Sequence, residues 1–195
     1  MVWDMPDTDD ALLAGLGRSW RHNLRRAWKR NLRVVEWVDP SPAILAQLFD
    51  AMARYKTVDS YFDAPALTAL LRCLDGHVYM YGCADDTGVP LAVRACAVQH
   101  RSAWDLLAAT SPEGRRCYAS YAVLWALIQR CRADGVTQYD LSGVDAVGAV
   151  GVYNFKKGTG AREVECLGEW ERATSPPLAH VVNLAIRFRR RAALP

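Results

Sequence analysis

The chain has 195 residues, of which 51% are hydrophobic and 10% aromatic. This is enough to bury the core of one large domain, and it excludes a disordered polypeptide. No apolar stretch approaches the roughly 18 residues that span a bilayer, and the acidic residues 1–10 carry no signal-peptide pattern, so we expect a cytoplasmic protein. The formal net charge is +3, but 11 of the 24 basic residues lie in two short segments, residues 15–33 and 187–191. Cations gathered in this way indicate a polyanionic partner.

The six cysteines and four histidines have no metal-binding spacing. The sequence contains no Cys-x-x-Cys pair and no His-x-x-x-His pair, so we expect no metal site. Without a signal peptide, the cysteines are expected to be reduced and mostly buried. A catalytic cysteine–histidine pair is an alternative that spacing alone leaves open.

The first part of the chain predicts helices around one short strand. Apolar residues recur at spacings of three and four from residue 13, which predicts a helix over about residues 10–31, capped by Asp9 or Asp10. Residues 32–38 predict a strand. A proline at position 42, after a serine cap, predicts a second helix to about residue 55, and residues 64–74 predict a third.

The remaining chain predicts a meander of strands followed by alternating helices and strands. The predicted elements are strands over residues 77–84, 89–100 and 103–110, a helix over 118–133, a strand over 137–141, a helix over 150–157, a strand over 162–169 and a basic helix over about 176–193. The short breaks between the first three strands favour antiparallel hairpins. This order predicts an α/β (α+β) fold in a single domain, residues 1–195, with a mixed, mostly antiparallel sheet and helices on both faces.

Three short motifs carry most of the functional information. They read YDLSGVD at residues 139–145, FKKGTG at 155–160 and LGEWE at 167–171. These motifs resemble the C-terminal half of the FemABX peptidyltransferases, and the resemblance extends over about residues 18–171. That family transfers amino acids from aminoacyl-tRNA to amines of peptidoglycan precursors on an acyltransferase fold of the GNAT type. The resemblance therefore implies a GNAT-like fold, an aminoacyl-tRNA as co-substrate and no other cofactor.

The resemblance also implies roles for the Phe-Lys pair. Lys156 is expected to stabilise the oxyanion of the tetrahedral intermediate, and Phe155 is expected to pack near the terminal adenosine of the tRNA. The alternative is a helix-surface lysine beside a core phenylalanine. Asp140 and Asp145 are candidates to take a proton from the attacking amine or to orient the acceptor, although ordinary turn chemistry also explains them. In related enzymes the tRNA ribose hydroxyl is thought to relay that proton. Tyr153 is a candidate donor to the oxyanion or stacking partner for adenine.

Basic residues in four segments are candidates to bind tRNA phosphates. They are Arg18, Arg21, Arg25, Arg26, Lys29, Arg30, Arg115, Arg116, Lys157, Arg189 and Arg190. Cations that reach phosphates add salt-dependent and largely sequence-independent affinity. A solvated, charged helix face is the plain alternative. Trp20 and Trp28 of the first predicted helix are interpreted as core residues rather than as base-stacking platforms.

The segment before the helix at residues 118–133 disfavours acyl-CoA as the donor. Acyl-CoA-dependent GNAT enzymes have an Arg/Gln-x-x-Gly-x-Gly/Ala loop there, whose amides hold the CoA pyrophosphate at a helix N-terminus. This chain reads SPEGRRCYA at residues 111–119 and lacks that spacing. Glu113 would in addition repel a diphosphate. The Gly-x-Gly at residues 158–160 matches a glycine-rich segment of the resembled family, but such pairs usually only form turns.

Together these features predict an aminoacyl-tRNA-dependent aminoacyltransferase that forms an amide with a peptide or small-molecule amine, free or carrier-protein-bound. Cell-wall members of the resembled family use two GNAT-like halves. This chain corresponds to only one such half, and compact relatives of this kind resemble enzymes that add an aminoacyl group to peptide antibiotics of the uridyl peptide (pacidamycin-like) class. We therefore expect a tailoring enzyme of this type. The alternatives are a peptidoglycan bridge peptidyltransferase, an acyl-CoA-dependent GNAT N-acyltransferase, and a nucleic-acid-binding or adaptor module without chemistry.

Overall fold

A computed structural model describes residues 1–54, 64–74, 76–168, 175 and 180–186 of the chain. The chain divides into two compact units, Met1–Val164 and Glu165–Pro195. In the second unit, residues 180–186 form a helix, which lies within the predicted C-terminal helix; the rest of that helix lies outside the described residues. That the whole chain forms a single domain stays a prediction.

The first unit is built on one six-stranded sheet. Its strands in chain order are β1 (Val2–Asp4), β2 (Arg33–Glu36), β3 (Val78–Ala84), β4 (Pro90–Gln99), β5 (Ser102–Thr110) and β6 (Gln138–Asp140). Their spatial order is β1-β6-β5-β4-β3-β2. All neighbouring strands pair antiparallel except β5 and β6, which are parallel. The predicted mixed, mostly antiparallel sheet is therefore confirmed.

Helices cover both faces of this sheet, as predicted. They are α1 (Asp9–Gly15), α2 (Arg18–Trp28), α3 (Pro42–Ala53), α4 (Ala64–Cys73), α5 (Pro112–Arg116), α6 (Ala119–Ala133) and α7 (Val150–Lys157). The central strand β4 is buried on both sides. Val93 and Ala95 lie in a cluster with residues of α3 and α4, whereas Cys96 points the other way, into a cluster with residues of α1, α2 and α6.

The single first helix that was predicted is instead two helices, α1 and α2. The Thr8 hydroxyl, not an aspartate, caps α1. The break falls at Gly17, whose amide donates to the Gly158 carbonyl at 2.8 Å, and a Cβ at position 17 would lie 3.2 Å from that oxygen. Arg21 satisfies the end of α1 by donating to the Ala14 carbonyl at 2.8 Å. The break thus lets the chain approach a distant turn more closely than a continuous helix would.

The prediction of a strand over residues 162–169 is wrong for residues 162–168, which the structure describes. Arg162 makes an isolated antiparallel bridge to Val2, and residues 163–168 have no regular structure. The strand that pairs with β6 at this edge of the sheet is instead β1. It lies within residues 1–10, for which no strand was predicted. Trp3 explains this placement, because it pairs with Tyr139 and is only 4% exposed.

Candidate active site

Lys156 is a buried lysine in the last turn of α7. The residue is 8% exposed, and its Nζ donates to the Gly143 carbonyl, in the loop after β6, at 2.8 Å. Burial lowers the pKa of Lys156, and Arg94 acts in the same direction, whereas Asp105 and Asp140 oppose the shift. An ammonium in such a dry environment can stabilise a developing negative charge strongly. The alternative of a solvent-facing lysine is therefore excluded.

The turn after Lys156 is locked by Thr159 and by a glycine contact. The fully buried Thr159 hydroxyl donates to the Lys156 carbonyl at 2.6 Å and accepts from the Ala161 amide at 3.2 Å. Gly160 has a φ of 87°, and a Cβ there would lie 2.8 Å from the Gly15 carbonyl. The Gly-x-Gly turn therefore joins the end of α7 to the junction between α1 and α2.

A buried ion pair between adjacent strands lies within electrostatic reach of Lys156. Arg94 on β4 donates to both carboxylate oxygens of Asp105 on β5, from Nε at 2.9 Å and from a terminal nitrogen at 2.5 Å. The Tyr139 hydroxyl donates to the same carboxylate at 2.6 Å. Burial favours a lower pKa for Arg94, but the attraction of Asp105 outweighs it and the pKa is raised. Burial and the Asp105 charge raise the pKa of Tyr139, so this phenol stays a donor.

Phe155 belongs to an aromatic cluster on the buried side of α2. Its ring centroid lies 5.0 Å from that of Tyr121 and 5.8 Å from that of Trp20. The Arg94 guanidinium lies 5.4 Å from the Phe155 centroid. Trp20 is 2% exposed, in agreement with its interpretation as a core residue. The packing of Phe155 against a tRNA adenosine stays a prediction.

Asp140 and Asp145 organise the loop between β6 and α7. Asp145 Oδ1 accepts from the backbone amides of Val147 and Gly148 at 2.9 and 2.8 Å, and these bonds lower its pKa. Asp140 Oδ1 accepts from the Ser142 amide at 2.8 Å. Both carboxylates thus perform turn chemistry. A role in proton transfer stays a prediction, and the lowered pKa makes Asp145 a weaker base.

Tyr153 and Lys157 form an exposed polar group on α7. The Tyr153 hydroxyl donates to Glu163 at 2.6 Å and accepts from Lys157 Nζ at 3.1 Å. This hydrogen bond raises the pKa of Lys157. Lys157 therefore faces solvent, one of the two positions that its sequence predicted, while its binding to phosphate stays a prediction.

The helix α2 presents a row of cations to solvent because its apolar stripe packs into the core. The exposed cations in and just after α2 are Arg18, Arg25, Arg26, Lys29 and Arg30. Arg21 is half-buried and bonds to the end of α1. Trp28 is 51% exposed, so its interpretation as a core residue is wrong: it contacts the Trp125 ring only edge-on, at 6.0 Å.

The other predicted phosphate ligands are placed differently. Arg115 and Arg116 are exposed on α5, and Arg116 forms an ion pair with Glu113 at 2.5 Å. Arg189 and Arg190 lie outside the described residues. The end of α2 lies beside the segment of α5, since the Arg26 guanidinium lies 4.3 Å from the centroid of the Tyr118 ring.

Residues 78–187 match the model of the FemAB family, and this match covers more than half of the chain. The chain belongs to the FemAB family. No curated protein matches it. The family match includes β3 to β6, α6 and α7, and with them Lys156, Gly143 and the Arg94–Asp105 ion pair.

Solved structures support a GNAT-like acyltransferase fold for this FemAB-family chain. A crystal structure of FemX matches with a TM-score of 0.80 and 17% identity, over 93% of this chain and 63% of FemX. The chain thus spans less than two thirds of FemX. An aminoglycoside acetyltransferase from an uncultured soil metagenomic sample, solved with sisomicin, matches with a TM-score of 0.55 and 16% identity over 74% of this chain and 97% of its own. The aminoglycoside N-acetyltransferase AAC(6')-Iy, solved with CoA, has a TM-score of 0.56 and 10% identity over 72% and 94%. The predicted fold is confirmed.

In the FemAB-family chain, the segment before α6 uses its amides internally. The amides of Gly114 and Arg115 donate to the side chain and the carbonyl of Ser111, respectively. Those of Cys117 and Tyr118 donate to carbonyls within α5. A Cβ at position 114 would lie 2.2 Å from the Leu91 carbonyl, so this glycine serves close packing. These four amides are not available to hold a pyrophosphate.

Sequence reasoning missed the charged residues that surround Lys156. Arg94 and Asp105 lie inside predicted apolar strands, and Ser142 lies in a loop motif without an assigned role. One signal was present: a buried strand pair that carries opposite charges on adjacent strands indicates a buried ion pair. Which residues pair cannot be read from the sequence, because the register of the two strands decides it.

The six cysteines differ in their burial. Cys96 and Cys131 are fully buried with their sulfurs 3.6 Å apart, and burial raises the pKa of Cys83 to about 12. Cys117 is half-buried, whereas Cys73 and Cys166 are exposed. Among the residues described, no group of three or more histidine, cysteine or acidic side chains is arranged to hold a metal ion. In the same part of the chain, every helix is too short or too polar to cross a membrane.

Proposed function

We propose that this chain transfers an aminoacyl group from aminoacyl-tRNA to an amine acceptor. The observation that carries this proposal is the buried Lys156 ammonium, held 2.8 Å from the Gly143 carbonyl at the end of the sheet. An ammonium has three N–H donors. Within the described part of the chain Gly143 is its one hydrogen-bond partner, so two donors remain to meet an oxyanion.

The reaction balances without an external oxidant or nucleotide. The amine nitrogen attacks the ester carbonyl carbon at the tRNA 3′ end, and the negative charge that develops on the carbonyl oxygen is stabilised by Lys156. Collapse of the intermediate breaks the bond between the acyl carbon and the ribose oxygen. The proton lost by the amine goes to that ribose oxygen. The products are an amide and a tRNA with a free terminal hydroxyl.

The exposed cations of α2 support tRNA as the donor. Each cation that reaches a backbone phosphate adds affinity through counterion release, and none of them is offset by an acid within residues 15–33. The contact of Gly17 with Gly158 connects α2 to the turn that follows Lys156. This contact lies at the start of α2, beside Arg18, whereas the other exposed cations lie at the far end of the helix.

The negative charges of the loop between β6 and α7 favour some acceptors over others. The loop that receives the Lys156 ammonium follows Asp140 and contains Asp145, and residues 133–155 contain no lysine or arginine. Such a loop attracts a cationic amine and repels a diphosphate. This favours a peptide of the antibiotic-tailoring type, free or carrier-protein-bound, over a nucleotide-linked peptidoglycan precursor. Peptidoglycan bridge formation is the alternative acceptor assignment.

A comparison of two acyl donors tests the proposal. The protein is incubated with candidate amines and either radiolabelled aminoacyl-tRNA or labelled acyl-CoA, and amide products are separated from unreacted donor. We expect transfer from aminoacyl-tRNA. Transfer from acyl-CoA alone would contradict the proposal and favour the activity suggested by the acetyltransferase fold. Binding of tRNA without transfer to any amine would favour the adaptor module.

A further inference from the structure

Asp105 contacts the Lys156 environment through both its side chain and its main chain. The carboxylate binds Arg94 and the Tyr139 hydroxyl, and its side chain is 10% exposed. Its backbone carbonyl accepts from the Ser142 hydroxyl at 3.1 Å. Ser142 directly precedes Gly143, which receives the Lys156 ammonium. One residue of β5 thus contacts both β6 and the loop that follows it.

A β-bulge makes this arrangement possible. In the pairing of β4 with β5, Ala95 is opposite Leu107 and Cys96 is opposite Asp105, so Leu106 is an extra residue. In a regular strand Asp105 and Leu107 would point to the same face. Here Leu107 packs with Ala95 in the cluster beside α3 and α4, while Asp105 turns to the opposite face. Bulges often redirect a side chain next to an active site.

We propose that Asp105 is the positioning residue of Lys156: the redirected carboxylate and its carbonyl hold β6 and Ser142 so that the Gly143 carbonyl receives the ammonium. The inference rests on the proposed function for its catalytic consequence. The role of Asp105 is indirect, since its described hydrogen bonds go to Arg94, Tyr139 and Ser142 rather than to Lys156.

The charges around Lys156 give this role an electrostatic part. The groups that act on the ammonium are Arg94 from β4, Asp105 from β5 and Asp140 from β6, and the neighbouring Tyr139 phenol is neutral. Arg94 and Lys156 are both cations and repel each other. Asp105 is a buried anion, and its attraction opposes the effect of Arg94 on the Lys156 ammonium. Neutralising Asp105 leaves two cations in a dry environment, so it must make protonation of Lys156 less favourable.

The test separates charge from geometry with two variants. In Asp105→Asn the charge is removed at nearly constant shape, and in Ser142→Ala the charges remain while the hydrogen bond to the Asp105 carbonyl is removed. The lysine Nζ and Cε resonances are titrated by heteronuclear NMR, with Lys156 assigned by its loss in Lys156→Arg. We expect Asp105→Asn to move the Lys156 titration to lower pH and Ser142→Ala to leave it in place. We expect both variants to reduce the turnover number for transfer more than they raise KM.

Asp105→Glu and Asp86→Asn serve as controls. Asp105→Glu keeps a carboxylate and should move the titration back toward that of the unsubstituted protein, which also covers the case in which Asp105→Asn does not fold. Asp86 lies exposed in the turn between β3 and β4, and its neutralisation should shift nothing. An unchanged Lys156 titration in folded Asp105→Asn, or one lowered equally in Asp105→Glu, would overturn the inference. Because the titration needs no substrate, absence of transfer would instead count against the proposed function.

Discussion

The cations of α2 and the single cation of Lys156 occupy contrasting environments. The α2 cations are exposed and numerous. Their attraction for an anionic partner is additive and is screened by salt, so no single one of them is essential. Lys156 is buried, makes one defined hydrogen bond and lies near an ion pair that is itself buried. In the proposed function, a solvated cation would therefore support affinity, whereas a desolvated cation held in place would support chemistry.

Replacing the two neighbouring lysines of α7 should give the largest difference. We expect Lys156→Met to lower the rate of aminoacyl transfer by about 10²–10³-fold, the cost of removing one oxyanion donor. Lys157→Met, which removes an exposed cation, should change the rate less than tenfold. Single-turnover assays with bound aminoacyl-tRNA measure both rates.

The stability of Lys156→Met provides its folding control. Burial of a charged lysine opposes folding, so the free energy of unfolding in urea should not fall. Equal rate losses in the two variants would remove the distinction between the buried and the exposed lysine.

The contact between Gly160 and Gly15, which joins the turn after α7 to the end of α1, should have the next largest effect, on stability. Gly160→Ala places a Cβ against the Gly15 carbonyl at a positive φ, and we expect it to lower the free energy of unfolding by about 1–3 kcal/mol. Gly151→Ala is the matched control: it lies in α7 with open space around it, and alanine should stabilise the helix by about 0.5–1 kcal/mol. Urea denaturation measures both. A Gly160→Ala protein as stable as the unsubstituted one would show that the junction tolerates a side chain.

Removing cations from α2 should weaken tRNA binding without altering the chemical step. For the double variant Arg25→Ala with Lys29→Ala, we expect weaker binding and a salt dependence of log Kd that is smaller by about 1 for each phosphate that the variant no longer neutralises. The control removes Arg54 and Arg72, two exposed cations at the ends of α3 and α4. Fluorescence anisotropy at several salt concentrations measures the affinities. An equal loss of affinity in the control would indicate that only net charge matters.

The pH dependence of transfer should show the smallest effect, near the titration of Lys156. Burial lowers the pKa of Lys156 from the ordinary lysine value, and stabilisation of the oxyanion needs the protonated form. The contribution of Lys156 should therefore be full below this pKa, be half where Lys156 is half-titrated and be lost as the pH rises further, which gives the rate an alkaline limb. The acceptor amine attacks only in its unprotonated form, so the rate should also fall separately toward acidic pH. Single-turnover rates over an alkaline pH series measure this limb. Its persistence in Lys156→Arg, which stays charged, would assign it to another group.

Local sequence patterns determined most of the helices and strands. The helix over Val150–Lys157 and the three antiparallel strands agree with prediction, because periodicity, capping residues and turn residues act over a few positions. The Phe-Lys motif identified Lys156 through its resemblance to the FemABX family, and the catalytic role of this lysine stays a proposal. The first helix and the strand after Arg162 were wrong, since Gly17 and Trp3 obtain their partners from distant parts of the chain.

Only the tertiary structure decided how Lys156 is held. Tyr139 and Asp105 are 34 positions apart, and they meet because β5 and β6 pair in parallel across α6. Arg94 meets Asp105 because a bulge turns the carboxylate to its face of the sheet. Burial of an ammonium is likewise a property of everything packed around it, so sequence alone determines which cation is available and the assembled sheet determines what it can do.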